Sequence, residues 1–137
     1  MVQNNWAVGG NGGGSRGAPG PGGNAGGGGV YVAAGTASLT GVTLSDNTAR
    51  GGFGGSGAFV EGYPGIAQGA GLDVAGGSVT LNNVTVTANR AWSPFSSGGG
   101  LYIAAGALVY LDAFTLAHTT NNTADVNPDL SGSYTLL

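Results

Sequence analysis

The chain contains no cysteine and no lysine. Without cysteine it forms no disulfide and carries out no thiolate metal or redox chemistry. Without lysine, its only side-chain cations are Arg16, Arg50 and Arg90, far apart in sequence, and His118 is the only histidine. Phosphate neutralisation needs a basic face, so nucleic acid is not an expected partner. Charged residues make up 7% of the chain, and a net charge of −3 singles out no partner. No apolar run approaches the roughly 20 residues of a membrane-spanning helix. The opening "MVQNNWAVGG" has neither the basic start nor the apolar core of a signal peptide.

Glycine is plentiful instead, at 31 of 137 residues. A disordered glycine linker is nevertheless a poor description. Hydrophobic residues are 41% of the chain, and Val, Leu and Thr fall in ordered clusters. Such clusters bury enough apolar surface to offset their ordering entropy, which a flexible linker does not.

Internal repetition is the main signal. Shifted by 42 residues, the sequence aligns on itself without a gap from residue 2 to residue 49. Val2, Leu44 and Val86 coincide, as do Asn5, Asn47 and Asn89, and Ala7, Ala49 and Ala91. A third, shorter copy runs through Leu101-Tyr-Ile103, Val109-Tyr-Leu111 and Phe114-Thr-Leu116. It closes on Asn122 after a small insertion around His118. The boundaries read as a partial repeat at 1–7, repeats at 8–49, 50–91 and 92–124, and a partial coil at 125–137, all in one domain.

Each copy holds three short apolar-x-apolar triplets and an Asn turn. Period-two alternation predicts short strands with one face inward, and nothing follows the 3.6-residue period of a helix. Such strands bury their apolar face only by stacking on the next repeat. The predicted fold is therefore an all-β parallel solenoid of about three coils with three sheets. Its inward columns are Val30/Leu72/Leu101, Val32/Val74/Ile103, Leu39/Leu81/Leu111, Val42/Val84/Phe114 and Leu44/Val86/Leu116. The column Asn5, Asn47, Asn89, Asn122 reads as a structural ladder. Its amides satisfy inward-facing backbone groups and pair from coil to coil, and Asn tolerates the left-handed backbone of a tight corner.

"GGGVYV", "GAGLDV" and "GGGLYI", with text of the "LTGVTLSDNTA" type, resemble the right-handed parallel β-helix repeats of bacterial surface proteins. These include the polymorphic outer-membrane proteins, marked by a GGA[ILV] box and an FxxN box. Val2-x-x-Asn5, Leu44-x-x-Asn47 and Val86-x-x-Asn89 stand at the second box, with Leu or Val in place of Phe. The resemblance implies a right-handed, pectate-lyase-like solenoid at the cell surface or outside the cell. It is silent on function, since this fold hosts lyases, hydrolases, adhesins and passive stalks.

Residues 8–29 and 50–71 are Gly-rich inserts of equal length at the same corner. They are expected either to stack as side lobes in extended, polyproline-like form or to be surface loops of partial order. "GFGGSG" (52–57) matches GxGxxG, but no helix follows to hold a phosphate. "DVNPD" (Asp125–Asp129) has D-x-N-x-D spacing without the Gly and distal Glu of a calcium loop. No cofactor or metal is expected. Asn83 and Asn121 begin N-glycosylation sequons. Thr43, Thr85 and Thr115 read as an outward column.

No residue is assigned a catalytic role, and the chain is expected not to be an enzyme. Asp73 sits between inward Leu72 and Val74, so it is expected to point outward, between Tyr31 and Tyr102. That face could touch a sugar but lacks a second carboxylate for acid–base work. The chain opens on the last triplet and turn of a coil, and closes on "GSYTLL", which copies "GSVTL" of residues 77–81. Val2, Asn4, Asn5 and Trp6 at one end, and Tyr134, Leu136 and Leu137 at the other, are the expected assembly strands. The expected function is a non-catalytic building block of an extracellular fibre or surface stalk. Its partner is itself, head to tail, or the flanking coils of a longer chain. A carbohydrate-binding or carbohydrate-cleaving fragment, or an adhesin segment, is the alternative.

Overall fold

The computed structural model describes all 137 residues. A partial coil supplies β1 (Val2–Gln3) and β2 (Trp6–Val8). The first full coil carries β3 (Ala25–Gly26), β4 (Val30–Val32), β5 (Thr36–Thr40), β6 (Thr43–Ser45) and β7 (Thr48–Arg50). The second repeats them as β8 (Ala67–Gln68), β9 (Leu72–Val74), β10 (Ser78–Asn82), β11 (Thr85–Thr87) and β12 (Arg90–Trp92). The third has β13 (Leu101–Ile103), β14 (Leu108–Leu111), a helix α1 (Ala113–Ala117) and β15 (Thr119–Thr120). β16 (Leu130–Ser131) and β17 (Thr135–Leu136) begin the next coil.

The chain is all-β but for α1, and its strands stack in parallel as a β-solenoid. Strand orders are β1-β6-β11-β15, β4-β9-β13-β16, β5-β10-β14-β17 and β2-β7-β12, with β3 beside β8. The 42-residue repeat is the register itself. Leu39, Leu81, Leu111 and Leu136 lie in one row, and Val2, Leu44 and Val86 in another. There are four main sheets rather than three. The fourth, β2-β7-β12, follows the Asn corner and hides in the sequence because its inward residue is only Ala7, Ala49 or Ala91.

Twelve apolar side chains form the core, among them Leu44, Leu72, Leu81, Leu101 and Leu111, all essentially inaccessible. Each contributes roughly 1.5–3 kcal/mol of burial. The column Val79/Val109 is an unforeseen part of this core, with Ala37 packed against it. A smaller alanine core, Ala25, Ala49, Ala67, Ala70 and Ala91, joins the solenoid to its Gly-rich side.

The third coil departs from its expected columns. Leu111 lies opposite Leu81 and Thr119 opposite Val86, so eight residue steps face five. The surplus winds into α1, capped by Asp112, whose Oδ1 accepts from Thr115 N at 2.8 Å. Phe114 and Leu116 consequently point outward, and Phe114 stacks on His118 at 3.8 Å between centroids. Thr115, expected outside beside Thr43 and Thr85, is instead fully buried and accepts from Val84 N at 3.0 Å. Thr119 takes the place expected of Leu116, and its hydroxyl donates to Thr115 O.

The Gly-rich inserts form a second hydrogen-bonded body. Gly9, Gly12 and Ser15 donate to Arg50, Phe53 and Ser56 of the next coil. Gly20 and Gly23 donate back to Gly13 and Gly10; Gly52 and Gly55 donate to Gly23 and Gly20; Gly62 and Gly65 donate to Gly55 and Gly52. Bonds recurring every third residue follow the threefold period of extended polyproline-type helices. Four such segments pack together, and a Cβ at Gly12, Gly52, Gly55 or Gly62 would overlap neighbouring backbone.

Candidate functional site

Three places on this scaffold gather polar or aromatic side chains, and the first is the Asn ladder. The residue before each ladder Asn takes the left-handed backbone: Asn4 (φ 57°), Asp46 (55°), Ala88 (55°) and Asn121 (60°). The ladder Asn, expected to supply that conformation itself, is thereby turned inward. Its backbone N and its Nδ2 both donate to the Oδ1 of the next ladder Asn. The distances are 3.1 and 3.0 Å from Asn5 to Asn47, 3.0 and 2.9 Å from Asn47 to Asn89, and 3.0 and 2.9 Å from Asn89 to Asn122. The remaining Nδ2 proton reaches back to a backbone carbonyl, Val2 O from Asn47 and Leu44 O from Asn89.

The ladder passes against a glycine column. Gly29, Gly71 and Gly100 immediately precede β4, β9 and β13, and a Cβ there would stand 2.9, 3.0 and 2.7 Å from Nδ2 of Asn47, Asn89 and Asn122. At the next level, before β16, the column holds Asp129. Its Oδ1 accepts from both N and Nδ2 of Asn122, at 3.0 Å each.

The opposite side of the solenoid is different. β1, β2, β3, β4 and β5 each pair on one side only, as β15, β16 and β17 do at the Asp129 end, so the two sides differ at the ladder rather than in open strands. The inward residues Val2, Val30, Leu39 and Val42 are only half-buried there, and Asn5 Oδ1 accepts no bond. Of the other residues expected at the ends, Asn4 is exposed, Trp6 is 67% exposed, and Tyr134, Leu136 and Leu137 are exposed. Tyr110 and Leu111 pair with Thr135 and Leu136, setting "GSYTL" on the same sheet as "GSVTL".

The second place is Asp73. The register sets it between Tyr31 and Tyr102, as expected. Its exposure differs from expectation: the residue is only 5% accessible. Gly26 and Gly69 fold over it so closely that a Cβ on either would overlap Asp73 atoms. The carboxylate Oδ1 has no hydrogen-bond partner, and loss of hydration pushes the pKa up to about 6. Asp73 is the sole carboxylate lining a cavity of about 460 Å³, shared with Asn24, Gln68, Tyr31 and Tyr102. One carboxyl is available there for holding or releasing a proton.

The third place was not legible as a site in the sequence. Arg50 and Arg90, far apart in the chain, meet on the outer face of β2-β7-β12. One row of that face reads Trp6, Thr48, Arg90 and the next Val8, Arg50, Trp92. The Arg50 guanidinium lies 4.5 Å from the Phe53 ring centre and 4.7 Å from that of Trp92, and Arg90 lies 5.5 Å from Trp92. Such contacts contribute about 0.5–1 kcal/mol each when exposed, and they hold the guanidinium planes in place. Two adjoining cavities, of about 370 and 250 Å³, share Arg50 and Trp92. Asp125 lines the larger one but is engaged elsewhere, accepting from Ser96 N and Oγ at 3.1 Å. The 42-residue alignment already carried the signal, since it superposes positions 8, 50 and 92 and positions 6, 48 and 90.

The Asp125–Asp129 stretch does not form a calcium loop. Its two carboxylates bond to different partners, Ser96 and Asn122, and no three His, Cys, Asp or Glu side chains come together as a metal site. Asn83 and Asn121 are both exposed on turns with positive φ. No helix is long and apolar enough to cross a membrane. Comparison of the chain with family models, with curated proteins and with solved structures finds no match in any of the three.

Proposed function

We propose that the chain is a non-catalytic structural β-solenoid, a building block of an extracellular fibre or surface stalk that extends by stacking coil on coil. One observation carries this reading. The edge formed by β1 to β5 offers unpaired strands, half-buried apolar columns and an unused ladder acceptor, all in the register that the inner coils already use. An unpaired edge of this kind is a template for another parallel strand. The coil that covers it belongs either to a longer chain or to another molecule.

The test is a chain with an extra copy of residues 8–49 inserted between Ala7 and Val8. Repeat stability is a sum of coils and the interfaces between them, so one more coil raises the melting temperature by several degrees in a single transition. A lower melting temperature, or a separate transition for the added coil, overturns the reading.

A second reading, carbohydrate binding, is favoured by the groove between Trp6 and Trp92. The exposed indole of Trp6 suits the apolar face of a sugar ring. A guanidinium held flat on an aromatic ring is poised to pair bidentately with a carboxylate. The matching ligand is an acidic polysaccharide, lying across a face distinct from the Tyr31/Asp73/Tyr102 cavity.

A further inference from the structure

The ladder distinguishes the two sides of the solenoid. Each coil interface within the chain uses the same joint: two donors of one Asn on the Oδ1 of the next, with glycine alongside to leave room. At Asp129 both halves of the joint change together. A side chain enters the column that is otherwise glycine, and its oxygen takes the two bonds that the next Asn would take. The place of a further ladder Asn is therefore filled from within the chain. At Asn5 nothing fills it, because Oδ1 there is free to accept.

We propose that Asp129 is a stop residue for coil stacking: it closes the ladder on the β16 side, where β15, β16 and β17 still present unpaired edges, and leaves ladder-joined stacking to the Asn5 side alone. The inference rests on the stacking function above and restricts its partner. The partner of the open face is a parallel coil whose corner Asn still has its two donors free. The chain's own last coil does not qualify, because Asn122 has spent both donors on Asp129. Continuity carries the choice of partner: the open face repeats, position for position, the register of the faces already joined between coils. A polymer of this chain alone, head to tail, would need Asn5 to enter the space that the Asp129 carboxylate occupies.

Asp129→Gly tests this by restoring the glycine column and freeing the donors of Asn122. Sedimentation velocity and electron microscopy of the whole chain should show the wild type without filaments at concentrations where Asp129→Gly forms them. Asp129→Asn retains the acceptor oxygen and should behave as the wild type. Wild-type filaments with coils in axial register overturn the stop while leaving the stacking function standing. A folded Asp129→Gly chain that does not self-associate at any concentration also overturns the stop, and the inserted-coil chain then judges stacking separately. Should Asp129→Gly fail to fold, hydrogen exchange in the wild type decides. An Asn122 amide as protected as that of Asn47 supports the closed joint, and one exchanging like a surface amide overturns it.

Discussion

Asn89 accepts, at a single oxygen, both the backbone N–H and the side-chain amide of Asn47, while its own Nδ2 returns to Leu44 O in the coil that carries Asn47. Both asparagines are fully buried. One side chain thus closes two interfaces at once, since it also donates to Asn122. Replacing it with Ala leaves several buried polar groups without partners, each at about 1–3 kcal/mol. Asn89→Ala should therefore lose about 3–5 kcal/mol in urea unfolding. Asn5→Ala, at the exposed end of the ladder, should lose much less. Equal losses at the two positions would contradict the ladder's role.

Asp73 carries the pH dependence. Its carboxyl titrates near 6 in the fold against an ordinary value of 3.8, so between those values the folded chain holds a proton that the unfolded chain has released. Stability is then greatest at the acid end of that window and falls as pH rises from about 4 to about 6. The whole effect is on the order of 3 kcal/mol. Asp112 acts oppositely below the window. Hydrogen bonds from Thr115 hold its carboxyl below the ordinary value, so the α1 cap weakens as acid protonates it. Chemical unfolding at a series of pH values from 4 to 7 should show the decline, and Asp73→Asn should flatten it. A wild-type profile as flat as that of Asp73→Asn would show that the carboxyl is not desolvated.

The Gly-rich lobe offers a paired control. A Cβ at Gly55 overlaps the backbone of Gly13, whereas a Cβ at Gly13 itself meets nothing within 4 Å. Gly55→Ala should cost about 1–3 kcal/mol through overpacking. Gly13→Ala should be neutral or slightly stabilising, because it restricts the unfolded chain. Amide exchange across residues 9–25 and 51–66 would report the loosening directly. Equal behaviour of the two variants would mean that the segments are not packed as described.

Ala88 holds a left-handed conformation that its counterparts meet with Asn4, Asp46 and Asn121. An L-residue with a plain Cβ pays roughly 1–2 kcal/mol for it. Ala88→Asn should therefore raise stability by about 1 kcal/mol, read as a higher urea midpoint at unchanged slope. A lower midpoint would show that the corner needs the smaller side chain.

The Trp6–Trp92 groove is tested by titration calorimetry with polygalacturonate against a neutral glucan. Binding of the acidic polymer should weaken at least tenfold in Trp92→Ala and in Arg50→Gln, with no binding of the neutral one. Single-stranded DNA belongs in the same series. Tighter binding of DNA than of polyuronate would replace the glycan by a nucleic acid as the occupant.

The repeat made most of the architecture legible. A 42-residue shift that superposes Asn on Asn and Val on Leu states both the register and the ladder. What escaped was whatever depended on residues outside the aligned triplets. Asp73 looked outward by alternation, and it does lie on the outer face. Its cover comes from Gly26, which is remote in sequence, and from Gly69, whose lack of a side chain is itself the enabling property. Phe114-Thr-Leu116 has the alternation of a strand, but a coil eight steps long has more chain than a strand can use, and Asp112 is placed to cap the turn that absorbs it. The acids looked isolated because their partners lie one coil away: Asp112 bonds to Asn83 N and Asp125 to Ser96.

An amide can be turned over, exchanging oxygen for nitrogen with almost no change in shape. A carboxylate cannot, because both of its ends only accept. Asp129 therefore admits one way for Asn122 to face, the same way that the backbone N–H of Asn89 and the carbonyl of Val86 require. Asn89 and Asn47 are held the same way by backbone groups, which cannot turn over either: the N–H of Asn47 and of Asn5 donate to their oxygens, and Leu44 O and Val2 O accept from their nitrogens. The row of amide dipoles has a compass direction along the solenoid axis, set at every level by the backbone and matched at one end by an anion.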